Sequence, residues 1–280
     1  MSSFRLIAID IDGTLLDPIS QLRPSVREAL RRAAEATMSV LLCTGRRYRT
    51  ALPVAQEAGL ALPLVCHSGA LVKDTGTHHT IQSTALTREE LDGLLDALGE
   101  AGFTPLVYTD TYEQGRDFLY ERGAPLTFYH EDYLAKNEGL YAEAPSLRAD
   151  LGADVVQVCT FADIAALRAF KAQLPDRLDH RLTCHLLSSP HYIGHFLEFQ
   201  SRQASKWAAI QSVAASRGIA DDEIVAIGDD ENDVSMLRGA GLGVAMGNAA
   251  YPVKSAADVV TATNDEDGVA RVIGKILEEG

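Results

Sequence analysis

The chain has 280 residues, 46% of them hydrophobic, which is enough to fill one large domain or two of ordinary size. A formal net charge of −14 argues against nucleic acid and anionic membrane surfaces as partners, so a phosphate could bind only where local donors and a metal reverse the field. Cys43, Cys66, Cys159 and Cys184 stand singly in apolar runs without CxxC spacing, no apolar run of signal or membrane-span length occurs, and reduced thiols in the cytosol are expected.

Residues 6–9 (LIAI) form a short, branched, wholly apolar run, the pattern of a strand buried on both faces. Val26, Ala29, Leu30 and Ala33 predict a helix over 24–36, and residues 38–43 a second buried strand. A helix over 51–58, broken or started near Pro53, and a strand over 63–66 follow. Strand and helix alternating across short connections predict an α/β fold, a doubly wound parallel sheet.

Near residue 83 the character changes. Thr87 and Glu90 make a capping box ahead of a Leu91, Leu94, Leu95, Leu98 stripe, and 103–108 reads as a strand. Residues 110–150 hold most of the tyrosines and show little periodicity. Strand, helix and alternating signals at 155–161, 164–174 and 181–187 complete an α+β layer, expected as a domain inserted at 83–186. The first rhythm then resumes, so 1–82 and 187–280 are expected to form the core. Its elements are strands at 196–199, 224–227 and 242–245 and helices at 205–217, 233–238 and 268–277.

Two acidic clusters follow buried strands of the core. The first strand runs into Asp10 and, two residues on, Asp12-Gly13-Thr14. Asp12-Gly13 alone would be an ordinary turn, but a carboxylate ending a buried strand is costly unless it is paired or holds a metal. The IVAI strand runs into Gly228-Asp229-Asp230-Glu231-Asn232-Asp233, of which a helix N-terminus would account for about two acids. Ligands of open α/β sheets bind beyond the carboxyl ends of the strands, and these acids together would suit Mg²⁺. Thr44 follows the second strand and could place a hydroxyl in the same crevice. Lys206 opens a helix against the dipole, so another interaction must hold it there. Gly239, Gly241 and Gly243 imitate a dinucleotide loop, but they follow a helix and lead into a strand, the reverse of the required order.

Together, DIDGT at 10–14, the strand into Thr44, Lys206 and GDDEND at 228–233 resemble the four motifs of the haloacid dehalogenase-like superfamily, in order and across the whole chain. The long insertion, AMGNA at 245–249 and NDEDGVA at 264–270 look like its Cof-type branch with an α/β cap; Ser68-Gly69 stands where that branch usually has Asn-Gly. The resemblance implies Asp10 as nucleophile, Asp12 as general acid and base, and Thr44 and Lys206 as catalytic partners. It further implies Mg²⁺ held by Asp10, the carbonyl of Asp12, Asp229 and Asp233, with Gly13, Gly45, Arg46, Ser68, Gly69 and Asn232 about the substrate. The activity implied is hydrolysis of a small phosphorylated metabolite, a sugar phosphate or phosphorylated cofactor, through an aspartyl-phosphate. A phosphotransferase or phosphomutase is the alternative enzyme, and a non-catalytic phospho-ligand sensor the alternative class. Substrate identity and oligomeric state stay open.

Overall fold

A computed structural model describes residues 4–60, 63–149, 151–188 and 192–279. The chain opens with β1 (Leu6–Ile9), α1 (Pro24–Glu35), β2 (Ser39–Cys43), α2 (Tyr48–Glu57), β3 (Leu64–Cys66), β4 (Leu71–Lys73) and β5 (Thr80–Ser83). It continues through α3 (Arg88–Glu100), β6 (Leu106–Thr109), β7 (Phe118–Glu121), α4 (Phe128–Lys136), β8 (Tyr141–Ala144), β9 (Val155–Ala162), α5 (Ile164–Ala172), α6 (Asp176–Asp179), β10 (Leu182–Ser188) and β11 (His195–Ser201). The last stretch holds α7 (Lys206–Ser216), β12 (Ile224–Gly228), α8 (Val234–Gly239), β13 (Leu242–Ala245), α9 (Tyr251–Lys254), β14 (Val259–Val260) and α10 (Gly268–Glu279).

Two compact units result, one of residues 1–82 and 205–280, the other of 83–204. The first is built on an eight-stranded sheet in the order β14-β13-β12-β1-β2-β3-β4-β5, parallel from β14 to β3, with β4 turned antiparallel against β3. β1 therefore lies between β12 and β2, with Ile9 opposite both Ile227 and Leu42. That register brings three strand ends level, so the residues following β1, β2 and β12 emerge side by side. All four β1 residues are fully buried, which is why the run carries no polar alternation. Leu6 and Ala8 pack with Ala209, Ile210 and Val213 of α7 and with Met236 and Leu237 of α8. The helix expected from 51 starts at Tyr48 and runs through Pro53. The ring forfeits one backbone bond there, and burial of Tyr48, Ala51, Leu52 and Ala55 outweighs that loss.

The second unit is a six-stranded sheet in the order β10-β11-β9-β6-β7-β8. α3 is capped as its sequence predicts, Thr87 and Glu90 exchanging side-chain and backbone bonds, and its leucine stripe packs against Val158, Leu197 and Phe199. The boundary expected at 186/187 lies later, at 204/205. The apolar run at 196–199 belongs to β11, which pairs antiparallel with β9 and β10 rather than joining the parallel sheet. In 110–150, where periodicity gives out, two four-residue strands and one helix are held by aromatic contacts of Phe118 with Tyr108, Tyr133 and Tyr141. Four residues are too few to display a period. None of the four cysteines is joined in a disulfide, and among the described residues no helix is long and apolar enough to cross a membrane.

The glycine run at 239–243 serves packing. A Cβ at Gly243 would lie 2.0 Å from the carbonyl oxygen of Leu237, so the α8–β13 turn closes only without one. Gly243→Ala should lower unfolding stability by about 1–3 kcal/mol, because the neighbour is backbone and cannot yield. A urea midpoint equal to that of the parent would refute this close approach.

Candidate active site

The first acidic turn is built by the chain leaving β1. The Asp10 N–H donates to the Ile227 carbonyl at 3.0 Å, extending the ladder one residue past the strand and fixing the residue at the carboxyl end of the sheet. The chain then doubles back, with Leu15 N–H donating to the Asp10 carbonyl at 3.2 Å. Gly13 makes this possible. Its φ is +77°, and a Cβ would stand 2.2 Å from Asp229 Oδ2.

Lys206, at the first position of α7, is 1% exposed and donates from Nζ to Asp10 Oδ1 at 2.6 Å and to Asp233 Oδ1 at 2.5 Å. These two bonds hold a cation at the wrong end of a helix dipole. Ser205 caps the same helix, accepting from Ala208 N–H at 3.1 Å. Asp233 is fully buried, and its Oδ2 accepts from the backbone N–H of Asp229 at 2.9 Å and of Asp230 at 3.0 Å. The acids of 229–233 thus divide by task. Asp230 caps the next turn through Glu231 N–H and is exposed, as is Glu231, while Asp229 and Asp233 turn inward.

Asp10, Asp229 and Asp233 each offer a carboxylate oxygen within 4.8 Å of the others. Three acids there meet one lysine, and the electrostatics record the imbalance. Burial pushes Asp10 well above the usual carboxylate range; Lys206 pulls against it, while Asp233 and Asp229 add to it. Burial likewise pushes Asp229 up to about 6, against a 2.7 Å bond from the Thr14 hydroxyl to its Oδ1. Burial would deprotonate Lys206, but the adjoining Asp10 and Asp233 carboxylates outweigh it and keep the ammonium charged. A buried oxygen-donor set short of positive charge fits a hard divalent cation.

The Asp12 carboxylate takes no part in that triad. Arg46 grips it with both arms, Nε to Oδ2 at 2.7 Å and Nη2 to Oδ1 at 2.5 Å. Arg46 is placed in turn by Thr44, whose hydroxyl accepts from the Arg46 backbone N–H at 3.0 Å and whose carbonyl accepts from Ser68 N–H at 2.9 Å. Thr44 is 1% exposed. Asn232 reaches Ser68, donating from Nδ2 to Oγ at 3.3 Å, and Gly45 lies against both side chains. Gly69 backs onto the start of α7, where a Cβ would meet the Ser205 carbonyl oxygen at 2.1 Å.

Two further residues support the turn, though their motifs give no hint of how. Asn248 donates from Nδ2 to the Gly13 carbonyl at 2.8 Å and lies 3.4 Å from Asp229 Oδ2. Asn264 donates from its backbone N–H to Asn248 Oδ1 at 3.1 Å and from Nδ2 to the Leu16 carbonyl at 2.7 Å. The segments at 245–249 and 264–270 therefore brace the β1 turn.

The raised carboxylates carry a pH signature. Asp229 holds its proton more tightly folded than unfolded, so metal-free stability should fall as pH rises from the ordinary carboxylate range through about 6. A divalent cation needs the ionised form, so its stabilisation should appear as pH rises through that window and vanish below it. Thermal midpoints with and without a divalent cation, at about pH 5 and about pH 7.5, check both signs. An equal metal increment at the two pH values would contradict the assignment.

Residues 7–273 match the haloacid dehalogenase-like hydrolase family. The chain is 31% identical over 284 residues to the putative phosphatase YxeH of Bacillus subtilis, covering 98% of each chain. It is 30% identical over 279 residues to the pyridoxal phosphate phosphatase YbhA of Escherichia coli, covering 96% of this chain and 97% of that one. Its fold superposes with a TM-score of 0.77 on the crystal structure of a haloacid dehalogenase-like hydrolase from Bacteroides thetaiotaomicron, at 28% identity and over 98% and 99% of the two chains. The chain belongs to the haloacid dehalogenase-like hydrolase family, in its Cof-type branch of phosphatases.

Proposed function

We propose that this phosphatase hydrolyses small phosphorylated metabolites, sugar phosphates or phosphorylated cofactors, in two steps through an aspartyl-phosphate on Asp10. The observation that carries this reading is the buried Lys206 bridging Asp10 and Asp233 with Asp229 alongside. Lys206 engages Asp10 Oδ1, so Oδ2 is the oxygen offered for attack on phosphorus. As the Asp10–phosphorus bond forms, the bond to the leaving oxygen breaks, and Asp12 delivers a proton to that oxygen. Asp12 then takes a proton from water, which attacks phosphorus and releases Asp10. Arg46 suits the handover, since a phosphate ester is a competing partner for the guanidinium that holds Asp12. Thr44 adds a hydroxyl donor for a phosphoryl oxygen.

Asp10, Asp229 and Asp233, with the Asp12 backbone carbonyl, would hold Mg²⁺. When bound, the ion supplies the positive charge that three acids and one lysine lack and offsets charge building up on the phosphoryl group. The unit formed by 83–204 would choose the organic part of the substrate. The pyridoxal phosphate phosphatase among the relatives supports phosphorylated cofactors as one class to test.

A screen of sugar phosphates and phosphorylated cofactors, run with Mg²⁺ and again in excess chelator, tests the whole reading. Phosphate release from at least one ester is expected with Mg²⁺ and none in chelator. Full release in chelator would sink the metal assignment, and no release from any ester with Mg²⁺ would sink the phosphatase.

A further inference from the structure

One side-chain atom of the site is buried with nothing to bond. Asn232 Oδ1 has no partner, a condition shared among the described residues only by Ser83 Oγ. An unsatisfied buried carbonyl carries the full cost of its desolvation, and folded proteins keep few of them without a use. At its other end the same carboxamide donates from Nδ2 to Ser68 Oγ at 3.3 Å. Asn232 thus spends a donor on a hydroxyl that could equally donate, and leaves its acceptor idle.

Exchanging the two ends of the carboxamide satisfies the oxygen and leaves the NH₂ as the group that lacks a protein partner. Oxygen and NH₂ have nearly the same size, so a half-turn about Cβ–Cγ changes no packing. Oδ1 then faces Ser68 Oγ, whose hydroxyl becomes the donor. The NH₂ turns to the position where Oδ1 found no protein partner, and a ligand oxygen is the acceptor that position calls for. A Cβ on Gly45 would lie 3.4 Å from Ser68 Oγ and 3.7 Å from Asn232 Nδ2, so these side chains line the backbone beside Thr44. Ser68 is held hard in this corner: its N–H donates to the Thr44 carbonyl at 2.9 Å, and its φ of +48° and ψ of +30° are left-handed for a residue that is not glycine.

We propose that Ser68 is a positioning residue, whose hydroxyl donates to Asn232 Oδ1 and so turns the Asn232 amide toward a phosphoryl oxygen of the substrate. This rests on the phosphatase reading above. Serine can do it because its hydroxyl gives or accepts as the amide requires, whereas alanine and glycine can do neither.

Calorimetric titration of the full chain with inorganic phosphate in Mg²⁺ buffer tests it, alongside steady-state kinetics on any hydrolysed ester. Ser68→Ala should weaken phosphate binding by about 3- to 10-fold, the range of one hydrogen bond, and raise KM by a similar factor with a smaller change in kcat. Ser68→Gly, which is comfortable at this φ, should weaken binding equally, separating the hydroxyl from the backbone. Asn232→Ala should weaken binding at least as much, and Ser68→Ala/Asn232→Ala should match Asn232→Ala within about twofold, since Ser68 acts through that amide. Unchanged phosphate affinity in Ser68→Gly, additive losses in the double variant, or a parent protein that binds no phosphate would each overturn the proposal. A parent that binds phosphate but hydrolyses no ester would instead remove the phosphatase reading, leaving Ser68 to be judged on binding alone.

Discussion

The site depends on a buried ammonium group. Lys206 is almost wholly removed from solvent, and taking such an ion out of water costs several kcal/mol after relaxation. Two carboxylates at 2.6 and 2.5 Å offset that cost, and they belong to different strand ends, Asp10 after β1 and Asp233 beyond β12. One side chain from a third element therefore fastens both acidic turns to the start of α7. The arrangement is underbalanced by design of its residues. A third acid, Asp229, stands in the same cluster, and burial, with the Asp233 and Asp230 charges adding to it, raises its proton affinity, a cost that a divalent ion would relieve.

The backbone makes this clustering cheap. Parallel strands β12, β1 and β2 end level, so three loops meet without long excursions. Close approach does the rest, with Gly13 admitting Asp229 and the Asn248–Asn264 pair bracing the turn from behind. Rigidity of this kind matters for phosphoryl transfer, where positioning and charge neutralisation do most of the work.

Much of this was legible in the residues, and the reasons differ from place to place. Strands buried on both faces announce themselves as unbroken apolar runs, so β1 and β12 and the acids behind them could be found directly. Lys206 could be singled out because it offends the dipole of its own helix. Other features had no local signal. The Arg46–Asp12 clamp joins residues far apart in sequence, and either side chain alone passes for a solvated charge. Asn248 and Asn264 act through backbone carbonyls, which no side-chain pattern reveals. The run at 196–199 is apolar enough for either sheet, and only its pairing with β9 and β10 assigns it to the second unit. Short aromatic-held strands in 110–150 escape for the reason already given: their contacts, not their periods, define them.

The central claim is that Asp10, fixed by Lys206, is the group that takes the phosphoryl, while Asp12 moves the proton. Labelling of the Asp12→Asn variant with a phosphate ester carrying a radioactive phosphoryl group and a good leaving group tests it most directly. Such a leaving group needs little help in the first step, and hydrolysis should slow by about 100- to 10,000-fold without the base. Acid-stable, hydroxylamine-labile protein label that maps to Asp10, and is absent when Asp10→Asn is added, is the predicted result. Label on residue 229, or label that survives Asp10→Asn, would contradict it.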